Sequence, residues 1–167
     1  MKTTAFKGTA VALAGKFIEA GTVAPNFSLI KGDLSPFQLA DRGESFLVLN
    51  IFPSVDTGVC AASVRKFNQV ASEVKNTKVI CISKDLPFAQ SRFCGAEGIE
   101  NVITASDFHF SSTFAKDYGV LMTDGPLSGL LARAVVIINP AGQVIYSELV
   151  PEIVQEPNYD AALAAIK

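Results

Sequence analysis

The chain has 167 residues, 49% of them hydrophobic, and a formal net charge of −2. A chain of this length and apolar content is expected to form one domain, residues 1–167, whose core needs no disulfide framework. The small net charge and the lack of any run of like charges argue against nucleic acid or an anionic membrane as a partner. No apolar segment reaches the roughly 18 residues that span a bilayer.

The beginning of the chain allows two interpretations. An early lysine followed by the apolar and small residues 10–15 resembles a secretion signal. Lys7 and Gly8 interrupt this pattern and the apolar stretch is short, so we favour two short strands, residues 4–6 and 11–13, that form a hairpin. The odd count of three cysteines also argues against a secreted disulfide framework. We therefore predict a reducing, cytoplasmic environment.

The rest of the chain alternates between apolar runs and amphipathic segments. Residues 46–52 and 78–83 are nearly continuous apolar runs, as expected of strands covered on both faces. Helical periodicity follows at residues 61–74 and, for a shorter stretch, at 87–94, where Gly95 is expected to end the helix. The remaining predicted elements are a strand at 102–104, a helix at 112–118, a hairpin of strands 134–138 and 143–146, and a final helix at 159–166.

This order of elements predicts an α/β protein with a thioredoxin-like fold. Strand, helix and strand followed by a hairpin and a closing helix give a central mixed sheet flanked by helices. The short strands at the beginning of the chain would add an N-terminal β-hairpin.

Cys60 is the candidate nucleophile, because it follows the strand 46–52 at the turn into a helix. Unpaired backbone N–H groups converge on the first turn of a helix, and the helix dipole is positive there. Both favour the thiolate, which is the reactive form of cysteine, and we expect it to be accessible. Thr57, three residues earlier, either brings its hydroxyl near the sulfur or caps the helix. The alternative for Cys60 is a small residue packed under the helix start.

The other cysteines differ in their surroundings. Cys81 lies within the apolar run 78–83 and is predicted to be a core residue. Cys94 is either an ordinary residue at the end of a helix or a partner for Cys60, since a short helix followed by glycines opens at low cost. The spacing of the three cysteines and His109 matches no zinc pattern, so no metal site is expected, and His109 is predicted to lie on the surface.

Several stretches resemble a known family. The spacing Pro53-x-x-x-Thr57-x-x-Cys60 matches the signature of peroxiredoxins. The longer stretches 50–68, 85–98, 125–130 and 150–160 are similar to the bacterial thiol peroxidase family of atypical two-cysteine peroxiredoxins. This similarity runs along almost the whole chain, including the N-terminal hairpin.

The resemblance implies site residues and a reaction. Cys60 corresponds to the peroxidatic cysteine and Cys94 to the resolving cysteine. Thr57 corresponds to the hydroxyl that contacts thiolate and peroxide, Arg133 to the active-site arginine, and Pro53 to the residue that shields the sulfur. The resemblance further implies reduction of hydrogen peroxide and alkyl hydroperoxides through a Cys60–Cys94 disulfide without a cofactor. It also implies thioredoxin as reductant and a homodimeric assembly.

Two other functions use the same cysteines. A thiol–disulfide carrier would have no peroxide chemistry, although the chain lacks the Cys-x-x-Cys motif of such carriers. A peroxide-sensing relay would pass its disulfide to a partner protein. From the residues alone, Arg133 is equally consistent with a solvated charge preceding a strand.

Overall fold

The computed structural model describes residues 2–166. Eleven strands lie within this range: β1 (Thr4–Phe6), β2 (Thr9–Val11), β3 (Leu13–Ala14), β4 (Ser28–Lys31), β5 (Pro36–Gln38), β6 (Phe46–Ile51), β7 (Thr77–Ser83), β8 (Ile103–Ser106), β9 (Leu121–Met122), β10 (Ala134–Ile138) and β11 (Val144–Leu149). The α-helices of this range are α1 (Gly58–Ala71), α2 (Pro87–Glu97), α3 (Phe114–Asp117) and α4 (Tyr159–Ile166).

Seven of the strands form one mixed sheet in the order β11-β10-β6-β7-β8-β4-β5. The three central strands β6, β7 and β8 are parallel, and the strands at both sides of them are antiparallel to their neighbours. Parallel strands end at the same edge of a sheet, so the loops after β6 and β7 lie next to each other. These two loops lead into the helices that carry Cys60 and Cys94.

The apolar runs of the central strands are explained by packing on both faces of the sheet. One face of β6 contributes Leu47, Leu49 and Ile51 to a core. This core also contains Phe114, the first residue of α3, and Tyr118, the residue after its end. Val48, between them in the sequence, packs with residues of α1 and α4 on the opposite face. Alternate side chains of a strand point to opposite faces, so a strand buried on both sides must be apolar throughout. The predicted central mixed sheet with flanking helices is confirmed.

The N-terminal hairpin forms, although its second strand is displaced from the prediction. β1 pairs with β2 in antiparallel register, with Phe6 opposite Thr9. Lys7 and Gly8 form the two-residue turn and have φ angles of 50° and 84°. Two positive φ angles are the geometry of a tight hairpin turn, so the second strand resumes at Thr9 rather than at residue 11.

Three predicted helix boundaries are corrected: both ends of α1 and the end of α2. α1 begins at Gly58 and ends at Ala71, three residues earlier at each end than predicted. α2 includes Gly95 and ends at Glu97. The C-cap residue that follows, Gly98, adopts a left-handed φ of 67°. Glycine inside a helix costs only about 1 kcal/mol, whereas the left-handed position after the last turn specifically favours it.

In the described residues no helix is long and apolar enough to cross a membrane.

Candidate active site

Cys60 lies in the first turn of α1, as predicted. Thr57 is the N-cap of the helix, and its side-chain oxygen accepts a hydrogen bond from the Cys60 backbone N–H at 3.4 Å. The Thr57 hydroxyl donates to the Ser54 carbonyl oxygen at 3.2 Å. Both Thr57 contacts therefore go to the backbone, which is the helix-cap alternative rather than the predicted contact with the sulfur.

Arg133 provides the contact with the sulfur. Its Nη2 lies 3.1 Å from Cys60 Sγ, and its Nε donates to the Ile153 carbonyl oxygen at 2.7 Å. The side chain is 2% exposed, so the alternative of a solvated charge is wrong. Nη1 is also buried and has no hydrogen-bond partner among the described residues. The guanidinium is thus held by one carbonyl and one sulfur, with a donor to spare.

This arrangement places a buried cation directly beside the Cys60 sulfur. Within the described residues no carboxylate lies within 4.0 Å of the Arg133 guanidinium. A buried charge without a counter-charge is unfavourable by several kcal/mol. The Cys60 thiolate would supply that counter-charge at 3.1 Å, and the N-terminus of α1 adds a positive dipole beside it.

A mainly apolar cavity of about 270 Å³ opens beside this pair. It is lined by Phe6, Pro53, Ser54, Thr57, Gly58, Val59, Leu127, Leu130, Arg133, Ile153 and Val154. The Cys60 side chain is fully buried, so the expectation that its thiol is accessible to solvent is wrong. Pro53, Thr57 and Arg133 line the cavity, so a small molecule in it would meet their atoms.

Cys94 lies in the last turn of α2 and is half-buried. Its Sγ is 4.0 Å from the Thr104 hydroxyl oxygen. Burial raises the pKa of the Cys94 thiol, and the Thr104 contact lowers it by a smaller amount. Cys94 packs against the same apolar cluster, including Phe52, Val64 and Phe93, that buries Cys60. All three cysteines are free, and the pairing of Cys60 with Cys94 stays a prediction.

Cys81 is a core residue, as predicted. It is fully buried in β7, and burial raises its pKa to about 12 from the ordinary value of 9.0. Asn50 Nδ2 lies 3.6 Å from its sulfur. His109 is exposed, next to Phe108. Within residues 2–166, no group of three His, Cys, Asp or Glu residues is placed to hold a metal ion.

Asp85 is a site residue that sequence reasoning missed. Its carboxylate accepts hydrogen bonds from the Ser54 hydroxyl at 2.8 Å, the Val55 backbone N–H at 2.8 Å and the Ser83 hydroxyl at 2.6 Å. These bonds tie the loop before Cys60 to the connection between β7 and α2. The position of Asp85 directly after a buried strand, at the sheet edge that also carries the Cys60 loop, could have indicated such a role.

The comparisons with known proteins agree with this geometry. The sequence model of the redoxin family matches residues 19–163. Thiol peroxidases of Mycobacterium tuberculosis (strain H37Rv) and Mycobacterium bovis are each 55% identical over 167 residues, which cover 99% of both chains. The crystal structure of a peroxiredoxin-like protein from Aquifex aeolicus has a TM-score of 0.93 at 40% identity, covering 99% of this chain and 96% of that chain.

A more distant structure shares the fold. The thiol peroxidase from Chromobacterium violaceum is 23% identical, with a TM-score of 0.89 over 98% of this chain and 95% of that chain. The chain therefore belongs to the redoxin family and, at 55% identity over nearly its full length, to the thiol peroxidases within it. The predicted thioredoxin-like fold and the family resemblance are confirmed. Thiol-dependent reduction of peroxides is the activity of this enzyme class.

Proposed function

We propose that the chain reduces hydrogen peroxide and alkyl hydroperoxides to water and alcohols through a Cys60 sulfenic acid and an intramolecular Cys60–Cys94 disulfide. Thioredoxin is the proposed reductant of that disulfide. The observation that carries the proposal is the 3.1 Å contact between Arg133 Nη2 and Cys60 Sγ in a water-shielded site next to an apolar cavity.

In the first step the Cys60 thiolate attacks the terminal oxygen of the hydroperoxide. An S–O bond forms, the O–O bond breaks, and the alkoxide or hydroxide that leaves takes up a proton. Negative charge moves from sulfur to the departing oxygen. The spare Arg133 Nη1 donor is the group we assign to that charge, because preorganised donors in a dry site stabilise a transition state strongly. Pro53 and Thr57 line the approach.

In the second step the Cys94 thiol condenses with the sulfenic acid. A Cys60–Cys94 S–S bond forms and water leaves. This requires the last turn of α2 to unwind. The turn ends in Gly95, Ala96, Glu97 and Gly98, all exposed, so little burial opposes its opening.

The first half of α2 is fixed more firmly than its last turn. Buried Gln90 donates at 3.0 Å to the Ser83 hydroxyl oxygen and at 3.0 Å to the Ala105 carbonyl oxygen, anchoring the helix to β7 and β8. Phe93 is buried as well. The proposed movement is therefore local to the segment that carries Cys94. An external dithiol then reduces the disulfide by thiol–disulfide exchange.

The cavity supports organic hydroperoxides as substrates in addition to hydrogen peroxide. Its apolar lining includes Leu127, Leu130, Ile153 and Val154, and an alkyl group would be buried against these side chains.

A homodimeric assembly and a cytoplasmic location are also part of the proposal. They are supported by the family resemblance and are tested by sedimentation of the purified protein and by fractionation of cells.

The test is a single turnover followed by mapping of the disulfide. Reduced protein is mixed with one equivalent of hydrogen peroxide in a stopped-flow instrument, and the product is digested and analysed by mass spectrometry. We expect rapid loss of two thiols and a peptide pair joined through Cys60 and Cys94, followed by turnover when thioredoxin and its reductase are added. A protein that does not react with peroxide but exchanges disulfides with thioredoxin would be a carrier instead.

A further inference from the structure

The N-terminal hairpin is attached to a segment that contacts the active-site arginine. The Ala5 N–H donates to the Pro151 carbonyl oxygen at 3.0 Å, and the Ile153 N–H donates to the Ala5 carbonyl oxygen at 2.8 Å. The Thr4 hydroxyl, buried, donates to the Val150 carbonyl oxygen at 2.8 Å. The outer edge of β1 is thus paired with residues 150–153 as an additional short ladder.

The Glu152 carboxylate adds two further hydrogen bonds to this attachment. One carboxylate oxygen, Oε1, accepts from the Gly8 N–H in the hairpin turn at 2.7 Å. The other, Oε2, accepts from the Val154 N–H at 3.2 Å. A single carboxylate therefore holds both the hairpin turn and the segment that contributes Ile153 and Val154 to the cavity.

A continuous chain of hydrogen bonds leads from the hairpin to the catalytic sulfur. Ala5 accepts from the Ile153 N–H, the Ile153 carbonyl accepts from Arg133 Nε at 2.7 Å, and Arg133 Nη2 meets Cys60 Sγ at 3.1 Å. The orientation of the guanidinium is therefore set partly by where the hairpin places residue 153.

Phe6, the last residue of β1, also reaches the site directly. It lines the cavity together with Leu127, Leu130 and Val154, and it is partly buried. The Lys7 ammonium lies 5.4 Å from the centroid of the Phe6 ring. The hairpin thus contributes an aromatic side chain to a cavity that Arg133 also lines.

We propose that the hairpin is the element of this site that selects organic hydroperoxides over hydrogen peroxide. Phe6 contacts the organic group of an aryl or branched alkyl hydroperoxide, and Glu152 is a positioning residue that keeps Phe6 and Ile153 in place. Hydrogen peroxide carries no group that could reach Phe6, so only the organic substrate gains from the contact. This inference rests on the proposed peroxidase function of the same site.

The first experiment compares two oxidants of different size. The rate constant of Cys60 oxidation is measured by stopped flow with cumene hydroperoxide and with hydrogen peroxide, and their ratio is the readout. Phe6→Ala should lower the ratio about ten-fold, the usual effect of lost apolar contacts in a hydrophobic pocket. Phe6→Leu should restore part of it. Glu152→Ala should lower the ratio in the same direction, and Glu152→Gln less, because an amide keeps one acceptor oxygen.

The matched control is Phe110→Ala, which removes a fully exposed phenylalanine that does not line the cavity. Its ratio should equal that of the unmodified protein. If Phe6→Ala and Glu152→Ala slow both oxidants equally, the hairpin has only a structural role and the inference is overturned.

A binding experiment separates this inference from the proposed reaction. Cumyl alcohol, the product expected from cumene hydroperoxide, is titrated into the Cys60→Ser variant and followed by ligand-observed NMR. Adding Phe6→Ala should weaken binding about ten-fold. Equal binding with and without Phe6, or no binding at all, would overturn the inference even if the protein is a peroxidase. Failure of the unmodified protein to react with any peroxide would instead overturn the proposed function.

Discussion

Arg133 Nη2 lies 3.1 Å from Cys60 Sγ, although the two residues are 73 positions apart in the chain. Both side chains are buried, and within the described residues the guanidinium has no carboxylate partner. Each group therefore provides what the other lacks, since a buried cation needs a counter-charge and a buried thiolate needs a donor. The contact joins the helix after β6 to the residue before β10, and it is the interaction to which we assign the activation of Cys60 in the proposed reaction.

Replacing Arg133 should impair the peroxide step. Arg133→Ala removes the donor to sulfur and the spare donor Nη1, so we expect the rate constant of Cys60 oxidation to fall by about 10²- to 10³-fold. Arg133→Lys should recover part of this loss, because it keeps the charge but not the planar fork of donors. Stopped-flow measurement of thiol loss gives the rates, and thermal unfolding identifies variants that are merely unstable. Unchanged kinetics in a folded Arg133→Ala protein would remove the arginine from the site.

Replacing the proposed resolving cysteine should separate the two chemical steps. Cys94→Ser leaves Cys60 and Arg133 in place, so the first oxidation should proceed at its normal rate. Without the second thiol the sulfenic acid persists, and mass spectrometry should detect it or its over-oxidised products. Normal cycling of this variant with thioredoxin would show that the intramolecular disulfide is not the route. Cys60→Ser should abolish turnover altogether.

The resolving step should accelerate at alkaline pH. Burial raises the pKa of the Cys94 thiol, so at neutral pH this residue is protonated and must lose its proton to attack. Below the raised pKa each increase in pH increases the thiolate fraction, and the rate of disulfide formation should rise with it. Rapid-quench trapping of sulfenic acid between neutral and alkaline pH measures this rate. A rate independent of pH throughout that range would contradict the assignment.

Cys81 should affect stability rather than turnover. Its pKa rises from 9.0 to about 12 on burial, so above pH 9.0 the unfolded chain loses a proton that the folded chain retains. Folding stability contributed by this group is complete below pH 9.0 and decreases by about 1.4 kcal/mol per pH unit towards pH 12. The difference in unfolding free energy between the unmodified protein and Cys81→Ala should therefore shrink over this range, measured with reductant present. Peroxidase turnover of Cys81→Ala should remain near normal.

Asp85 should be needed to hold the loop before Cys60. An asparagine has one acceptor oxygen for the three donors that Asp85 now satisfies, so Asp85→Asn leaves at least one of them without its partner. We expect a loss of about 1–3 kcal/mol in unfolding free energy and slower oxidation of Cys60.

Asp33→Asn is the matched control for Asp85. Asp33 is an exposed carboxylate that bonds only within its own turn, to the backbone N–H and hydroxyl of Ser35. This variant should leave the oxidation rate unchanged. Equal effects of the two variants would show that Asp85 has no special relation to the thiol.

The position of Cys60, the candidate nucleophile, could be predicted because it depends on local sequence. An apolar strand followed by a turn and an amphipathic helix places Cys60 in the first helical turn, and this inference needs no information about distant residues. Local sequence also distinguishes Cys81 as a core residue from Cys94 at a helix end, because Cys81 lies in an apolar run and Cys94 does not.

Long-range contacts could not be predicted from the residues alone. The burial of Arg133 depends on the Ile153 carbonyl, and the role of Asp85 depends on the adjacency of two loops at one sheet edge. The boundary of α2 was misplaced because Gly95 lies inside the helix, while Gly98 is the residue with a positive φ. The presence of a glycine alone does not distinguish a position inside a helix from the left-handed position after its last turn.

The hydrogen bond from the Ile153 N–H to the Ala5 carbonyl has a consequence for how the enzyme matures during translation. Ribosomes make residue 60 early, but the carbonyl that orients Arg133 belongs to residue 153. Pairings between such distant positions form late in folding, because loop closure must come first. A nascent chain therefore lacks the contact that orients Arg133 beside Cys60 until residues 150–153 have been made and have paired with β1. The proposed activation of Cys60 is thus expected only in molecules whose synthesis has passed residue 153.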